Sequence, residues 1–480
     1  MSAPERLPET AGLDLDPETM RTLGYRVVDL LVDRIANLDE SSAWRGASRA
    51  EMESRLREPP PETPTDWEEL VRRLQDDVLP FAGHHDHPRF FAYVPGAPTW
   101  PSVLGDFVAS GANIFAGTWL QSAGASAVEL VVIDWFRQWL GYGPRASGIL
   151  VPGGSLANLT ALACARETRP GGRAENAVVY LSSQTHSSVT RAVKILGFRP
   201  EQLRAIPVDE RLRMRPDALA AAMEADVQAG RQPFFAVANA GATNTGSVDP
   251  LAEIAAVCDD QDVWFHVDAA YGGFAILTER GRALLEGIDR AASVTLDPHK
   301  WLYQPYECGC LIVRDGPLIA QAFHILPDYL QDTAVGGVEV NFADRGIQLT
   351  RSARALKLWL SLHYFGVDAF RAAIDRTLDL AQHAQVLVEA SPELELLSPA
   401  RLGVVCFRRH PAGVDDEPTL AALNADLDRR LAESGVAEIS STRVDGRYAL
   451  RICILNFRSR AEDVERVLGW LENAPLDLHA

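Results

Sequence analysis

The chain has 480 residues, too many for one ordinary hydrophobic core, so one large domain with smaller appendages is expected. Hydrophobic residues make up 47% and charged residues 23%, the composition of a soluble globular protein. The formal net charge of −19 disfavours nucleic acid or an anionic membrane as partner, so a bound phosphate would need a local site.

The first residues, Met-Ser-Ala-Pro-Glu-Arg, carry no apolar stretch, so no signal peptide is expected. No run of about 18 apolar residues occurs, so no transmembrane helix is expected either. Six sparse cysteines (Cys164, Cys258, Cys308, Cys310, Cys406 and Cys453) lack a Cys/His cluster with zinc spacing. They read as reduced cytoplasmic thiols, with no metal site.

Leu23, Val27, Leu30, Leu31 and Ile35 recur at helical spacing across 17–38. Residues 48–56 and 67–78 read as two further helices, separated by a proline-rich break at 59–64. Such an arm buries little apolar surface alone and is expected to pack on a second subunit. Residues 84–101 combine His84, His85 and His87 with Phe90, Phe91, Tyr93, Pro95 and Trp100. They read as a rigid aromatic loop lining a pocket rather than as a metal site. Two long helices follow within 103–139, separated near Gly117-Thr118-Trp119.

The run Gly148-Ile149-Leu150-Val151-Pro152-Gly153-Gly154-Ser155 reads as strand, then glycine turn, then a helix over 156–167. Gly154 and Ser155 at a helix N-terminus suit a phosphate; simple helix capping is the competing reading. Strands are expected at 177–182, 234–239, 263–267 and 291–296, with helices at 186–196 and 250–258. That alternation implies a largely parallel sheet covered on both faces, with ligands at the carboxyl ends of the strands. His186, Thr243, Asp268 and Lys300 all fall there.

Lys300 follows the apolar run 291–296 and precedes Trp301, Leu302 and Tyr303. A lysine pinned between apolar segments loses hydration, which favours the neutral amine that attacks an aldehyde. Lys300 is therefore the candidate Schiff-base lysine for pyridoxal 5'-phosphate (PLP). Asp268 ends a strand and is followed by Ala269-Ala270-Tyr271-Gly272-Gly273. It either caps a turn or holds the proton on the pyridine nitrogen, which the ring needs in order to accept electrons. Ala270 leaves room for the methyl side of the ring. His186 either covers a ring face or is an ordinary satisfied polar residue. Residues 323–346, with Pro327-Asp328-Tyr329-Leu330 and Gly336-Gly337, read as a long functional or mobile loop. Beyond Leu349 a helix and then mixed helices and short strands (404–408, 449–455) indicate a smaller α+β domain.

Three motifs stand out together: His266-Val267-Asp268-Ala269-Ala270-Tyr271-Gly272, Asp297-Pro298-His299-Lys300-Trp301 and His87-Pro88-Arg89-Phe90-Phe91-Ala92-Tyr93. On these the chain resembles the group II PLP-dependent amino-acid decarboxylases, from roughly Pro17 to the C-terminus. The resemblance implies an α/β PLP fold of type I, aspartate aminotransferase-like. Its parts would be an N-terminal helical dimerisation segment (1–83), a large PLP-binding domain with a mostly parallel central sheet (84–355) and a small C-terminal α+β domain (356–480). It further implies a homodimer with active sites at the subunit interface.

By resemblance, Lys300 is the internal-aldimine lysine, Asp268 the partner of the pyridinium nitrogen and His186 the stacked histidine. Thr243 is the threonine near the 3-hydroxyl and the reaction face. Gly154 and Ser155 form the phosphate cradle with Asp297 and His299. The family usually carries Asn at the position of Asp297, and an ionised carboxylate there would repel a phosphate. Tyr329 resembles the loop tyrosine that acts across the dimer interface and protonates the carbanion after CO2 leaves.

Tyr93, Pro95 and Trp119 are expected around the substrate. Gly96 and Gly117 stand where aromatic-specific relatives often carry Thr and Phe, which would widen the cavity. The expected reaction is decarboxylation of an L-amino acid, with aromatic substrates favoured, to the amine and CO2. Histidine remains open, and a glutamate-type substrate would need a cation, for which Arg89 is the candidate. Alternatives are oxidative release of an aldehyde (relatives of that kind commonly carry Phe in place of the loop tyrosine), an aminotransferase, and a non-catalytic dimer.

Overall fold

A computed structural model describes residues 12–169, 171–325 and 339–475. Seven strands form the main sheet: β1 (Ser147–Val151), β2 (Ala177–Ser182), β3 (Leu203–Ile206), β4 (Gln232–Asn239), β5 (Trp264–Ala269), β6 (Ser293–Leu296) and β7 (Gly309–Val313). Their order is β1-β7-β6-β5-β4-β2-β3. From β6 through β5, β4 and β2 to β3 every pairing is parallel, whereas β7 runs antiparallel to both β6 and β1. Every residue of β5, β6 and β7 is buried, as in strands covered on both faces by helices. Burial there leaves His266 and Asp268 of β5, and Ser293 and Thr295 of β6, needing internal hydrogen-bond partners.

Three features differ from the sequence reading. Lys300 does not follow the last strand of the sheet, because β7 comes after it and inserts between β6 and β1. Asp268 lies inside β5, in register with Asn239 of β4 and Thr295 of β6. The helix after β1 runs Gly154–Thr168, so Gly154 and Ser155 belong to its first turn. No side chain caps that turn, and Gly153 occupies the cap position. A Cβ at Gly154 would sit 2.9 Å from Asp297 Oδ2 and 3.0 Å from the Ala270 Cβ, so only glycine allows this approach of helix to strand ends.

A second sheet, wholly antiparallel, is built from β8 (Leu394–Arg401), β9 (Val404–Arg409), β10 (Ser440–Val444) and β11 (Arg447–Cys453) in the order β10-β11-β9-β8. Helices Val367–Ala390, Glu417–Glu433 and Ala461–Asn473 cover it around a separate apolar core. Phe91 joins that core: its N–H donates to Glu438 O (2.7 Å) and its carbonyl accepts from Cys453 N–H (2.8 Å). The aromatic loop is thus stitched to the C-terminal sheet.

The N-terminal helices span Pro17–Ala36, Arg49–Leu56 and Trp67–Arg73. They bury only Leu30 and Val71, while Met20, Tyr25, Val32, Leu70 and Leu56 stay exposed. Among the described residues, no helix is long and apolar enough to cross a membrane.

Candidate active site

A cavity of about 410 Å³ opens at the carboxyl ends of the parallel strands. It brings together Gly154, Ser155, His186, Thr243, Asp268, Ala270, Asp297, His299 and Lys300, residues spread over 147 positions of sequence. Two neighbours that sequence reasoning missed, Asn158 and Ser188, share the same wall.

Lys300 sits in a single helical turn, Pro298–Trp301, directly after β6. Behind it Trp301 is fully buried, stacks on Tyr271 at 5.3 Å and donates Nε1–H to Thr377 Oγ1 (3.1 Å). Tyr271 is fixed in turn, because its hydroxyl oxygen accepts from Gly403 N–H (2.7 Å). The lysine is therefore anchored from the apolar side, as expected. Its amine, however, meets a carboxylate: Nζ lies 3.0 Å from Asp297 Oδ2.

The Asp297 carboxylate faces both neighbouring basic side chains. Its Oδ2 also lies 3.7 Å from His299 Nε2, and its Oδ1 is buried with no hydrogen-bond partner among the described residues. A carboxylate offers no donor to a phosphate and repels its charge, so Asp297 fits the lysine rather than the phosphate. The uncapped N–H groups of Gly154 and Ser155 do fit an anion. His299 lies beside them: a Cβ at Gly153 would be 3.5 Å from its Cε1. Its Nδ1 donates to Cys308 O at 2.7 Å, and burial pushes its pKa down.

On the opposite wall Asp268 is buried and doubly held. Its Oδ2 accepts from Asn158 Nδ2 (2.9 Å) and its Oδ1 from Ala270 N–H (3.2 Å). His186 caps the helix Ser187–Ile195: its Nδ1 accepts from Ser188 N–H (3.2 Å) and lies 2.8 Å from Ser188 Oγ. That leaves its proton on Nε2. Burial lowers the His186 pKa, with Lys300 acting the same way and Asp268 against it. A neutral imidazole, a small alanine and a held carboxylate make a slot for a flat, protonated pyridine ring. The residues present fit PLP at its ring, aldehyde and phosphate ends.

The expected substrate residues lie elsewhere in the described structure, outside the lining of this cavity. Tyr93 is 63% exposed, with its N–H on Ser440 Oγ (3.3 Å) and its carbonyl accepting from Arg451. Pro95 is buried, next to Gly96, which lies against the carbonyls of His299 and Lys300. Trp119 begins the helix Trp119–Trp139 and donates its N–H to Asn341 Oδ1 (2.9 Å). Gly96 and Gly117 open no space. A Cβ at Gly96 would lie 2.1 Å from His299 O, and one at Gly117 would lie 2.6 Å from Leu349 O, so each glycine permits a backbone contact. Arg89 is no substrate reader: its guanidinium is buried against Val436 O, Asp463 and Asp39 O. His84 and His87 turn to the carbonyls of Ser42, Leu79 and Ser41. Tyr329 lies outside the described residues.

Asn158 had a readable signal. It stands four residues after Gly154, hence one helical turn along the face that meets the cavity. Nothing in the sequence pairs it with Asp268, which is 110 residues away.

The comparisons with known proteins agree with this geometry. Residues 50–410 match the family model described as the pyridoxal-dependent decarboxylase conserved domain. The chain is 42% identical over 458 residues to an aromatic-L-amino-acid decarboxylase of Bacillus atrophaeus, covering 95% of each. It is 30% identical over 459 residues to a phenylacetaldehyde synthase of Petunia hybrida, covering 92% of this chain and 91% of that one. The crystal structure of Oryza sativa TDC with PLP and tryptamine superposes with a TM-score of 0.90 at 28% identity, over 95% of this chain and 97% of that one. The fold is the α/β fold of type I PLP enzymes. The chain belongs to the pyridoxal-dependent decarboxylase family: it is a PLP-dependent carboxy-lyase acting on an amino acid.

Proposed function

We propose that this enzyme decarboxylates an aromatic L-amino acid to its amine and CO2, with Lys300 as the lysine that carries PLP. The observation that carries the reading is that Lys300, Asp268 and His186 line one cavity. PLP, when bound, supplies a protonated pyridine ring that takes up the electron pair released as CO2 leaves.

The chain's own residues do the rest. Asp268 would accept a hydrogen bond from the pyridinium N–H and so keep the proton on that nitrogen. His186, kept neutral by burial, packs on the ring face without adding a charge beside that nitrogen. Gly154 and Ser155 offer backbone N–H groups to the phosphate, and His299 adds its ring. Thr243 serves the 3-hydroxyl side. Asp297 holds the Lys300 amine at the mouth of the slot, 3.0 Å away. Tyr329, which lies outside the described residues, is assigned on the resemblance of its sequence stretch the delivery of a proton to the substrate Cα once the carboxylate has gone.

The aromatic assignment rests on the names of the relatives at 42% and 32% identity, an aromatic-L-amino-acid decarboxylase and an L-tyrosine/L-DOPA decarboxylase. The engagement of Arg89 elsewhere removes the candidate reader of an acidic side chain. Tyr93, Pro95 and Trp119 join the substrate pocket only with a second subunit in place. Exposed apolar residues of the N-terminal arm, Met20, Tyr25 and Val32 among them, support a homodimer. We divide the chain accordingly into a dimerisation segment (1–83), a cofactor domain (84–355) and a small domain (356–480). Six buried, unpaired cysteines favour the cytoplasm.

The test is a panel of L-amino acids given to the purified holoenzyme, with amine, CO2, aldehyde and peroxide measured together. Stoichiometric amine and CO2 from aromatic substrates is the expected result. Aldehyde with peroxide would make it an aldehyde synthase like the Petunia relative. Turnover confined to histidine or glutamate would overturn the substrate assignment.

A further inference from the structure

We infer that Asn158 is a positioning residue for the cofactor ring, its amide locked so that one hydrogen aims Asp268 and the other, through Ser188, aims His186. This rests on the reading of Lys300 and Asp268 given above.

The argument is an accounting of donors. Trp264 Nε1 can only donate, and it donates to Ser293 Oγ (2.8 Å). The Ser293 hydroxyl then gives its hydrogen to His266 Nδ1 (2.8 Å), and His266 Nε2–H donates to Asn158 Oδ1 (3.0 Å). Thr295 Oγ1–H donates to the same oxygen (2.7 Å). Both acceptor positions of Oδ1 are therefore filled. The two Nδ2 hydrogens go to Asp268 Oδ2 (2.9 Å) and Ser188 Oγ (2.9 Å). Ser188 Oγ–H passes the direction on to His186 Nδ1 (2.8 Å). The reverse amide orientation would set Oδ1 against the Asp268 carboxylate, so the whole chain runs one way.

Every intermediate member is buried: Ser293, His266, Thr295, Asn158 and Ser188. Burial pushes the His266 pKa down to about 4, which keeps it neutral near pH 7, and its partners on either side set the tautomer. A network that merely satisfied the core could end on backbone carbonyls. This one ends on the two polar side chains that face the slot from β5 and from the helix Ser187–Ile195. Donors aimed from behind hold both side chains in one rotamer before the cofactor arrives, so less ordering remains to be done on binding.

The test uses Asn158→Leu, which keeps the volume and loses the amide, and Ser188→Ala, which cuts only the branch to His186. Imidazole nitrogen NMR on the cofactor-free protein reads the tautomers, and titration with PLP reads the affinity. For wild type the proton is expected on Nε2 of both His266 and His186. N158L should release His266 into a tautomer mixture and weaken PLP binding about tenfold, the size of one lost hydrogen bond to a charged group. S188A should change the His186 signal alone and weaken PLP about threefold, as for one neutral hydrogen bond. Wild-type imidazole signals and PLP affinity within twofold in both variants would overturn the inference. Should N158L not fold, a PLP affinity of S188A within twofold of wild type, with an unshifted His186 Nδ1 signal, overturns it alone. If wild type itself takes up no PLP, the cofactor reading falls first, and the inference with it.

Discussion

Two of the cavities among the described residues differ in how their charges are used. The cofactor slot measures about 410 Å³. The other, about 520 Å³, lies between the helix Leu251–Asp260 and the end of β8, and is lined by Arg211, Arg213, Arg280, Arg401, Glu253 and Glu286 among others. It is larger and carries more charged groups. Its arginines, however, are engaged along its rim: Arg213 with Asp209 (2.8 Å), Arg280 with Asp375 (3.0 Å) and Asp379 (2.8 Å), and Arg401 with the Arg211 carbonyl. Partly exposed pairs of this kind contribute little and point nowhere. In the slot the polar groups are supported from behind and aimed into the space. Volume and charge count do not mark a site; convergence with buried support does.

The contrast can be broken experimentally. Lys300→Ala should lower decarboxylation by about 10⁴-fold or more, ~5.5 kcal/mol of barrier, since the covalent anchor is lost. Residual activity within tenfold of wild type would remove Lys300 from the chemistry. Tyr329→Phe should cut amine formation by about a hundredfold and divert product to aldehyde, read from the amine-to-aldehyde ratio. An unchanged ratio would assign the proton delivery to another group.

A third prediction concerns the support behind the slot. The His266 pKa is about 4 when folded, against 6.5 as the ordinary value. Between those values the unfolded chain binds more protons, so stability rises with pH there and is lost as pH falls. The window is about pH 6.5 to 4, and the contribution is about 3 kcal/mol. His266→Leu should flatten that part of the melting-temperature profile of the cofactor-free protein. An identical slope in the variant would deny His266 this role. Smallest of all, Arg401→Ala in the second cavity should leave PLP affinity and kcat within twofold. A tenfold loss would erase the distinction between the two cavities.

The slot was legible in the sequence because parallel α/β sheets deliver polar strand-end residues to one edge. His186, Thr243, Asp268 and Lys300 are each preceded by a recognisable apolar run, and the three motifs name the family. What escaped depends on neighbours far away in the chain. β7 is five residues long and reversed, so alternation alone gives no cue for it. Gly96 and Gly117 look like space until the carbonyls of His299 and Leu349 come within contact of any Cβ. Arg89 looks available until the C-terminal domain closes on it. Asn158 resembles any helical asparagine until β5 and β6 bring His266, Asp268 and Thr295 against it.

The central claim is that one side chain joins the cofactor to the protein. Borohydride reduction of the holoenzyme, followed by protease digestion and mass mapping, tests it directly. The account predicts a single stable pyridoxyl adduct on the peptide containing Lys300. An adduct on another lysine, or a reduced holoenzyme whose Lys300 peptide is unmodified, would contradict it.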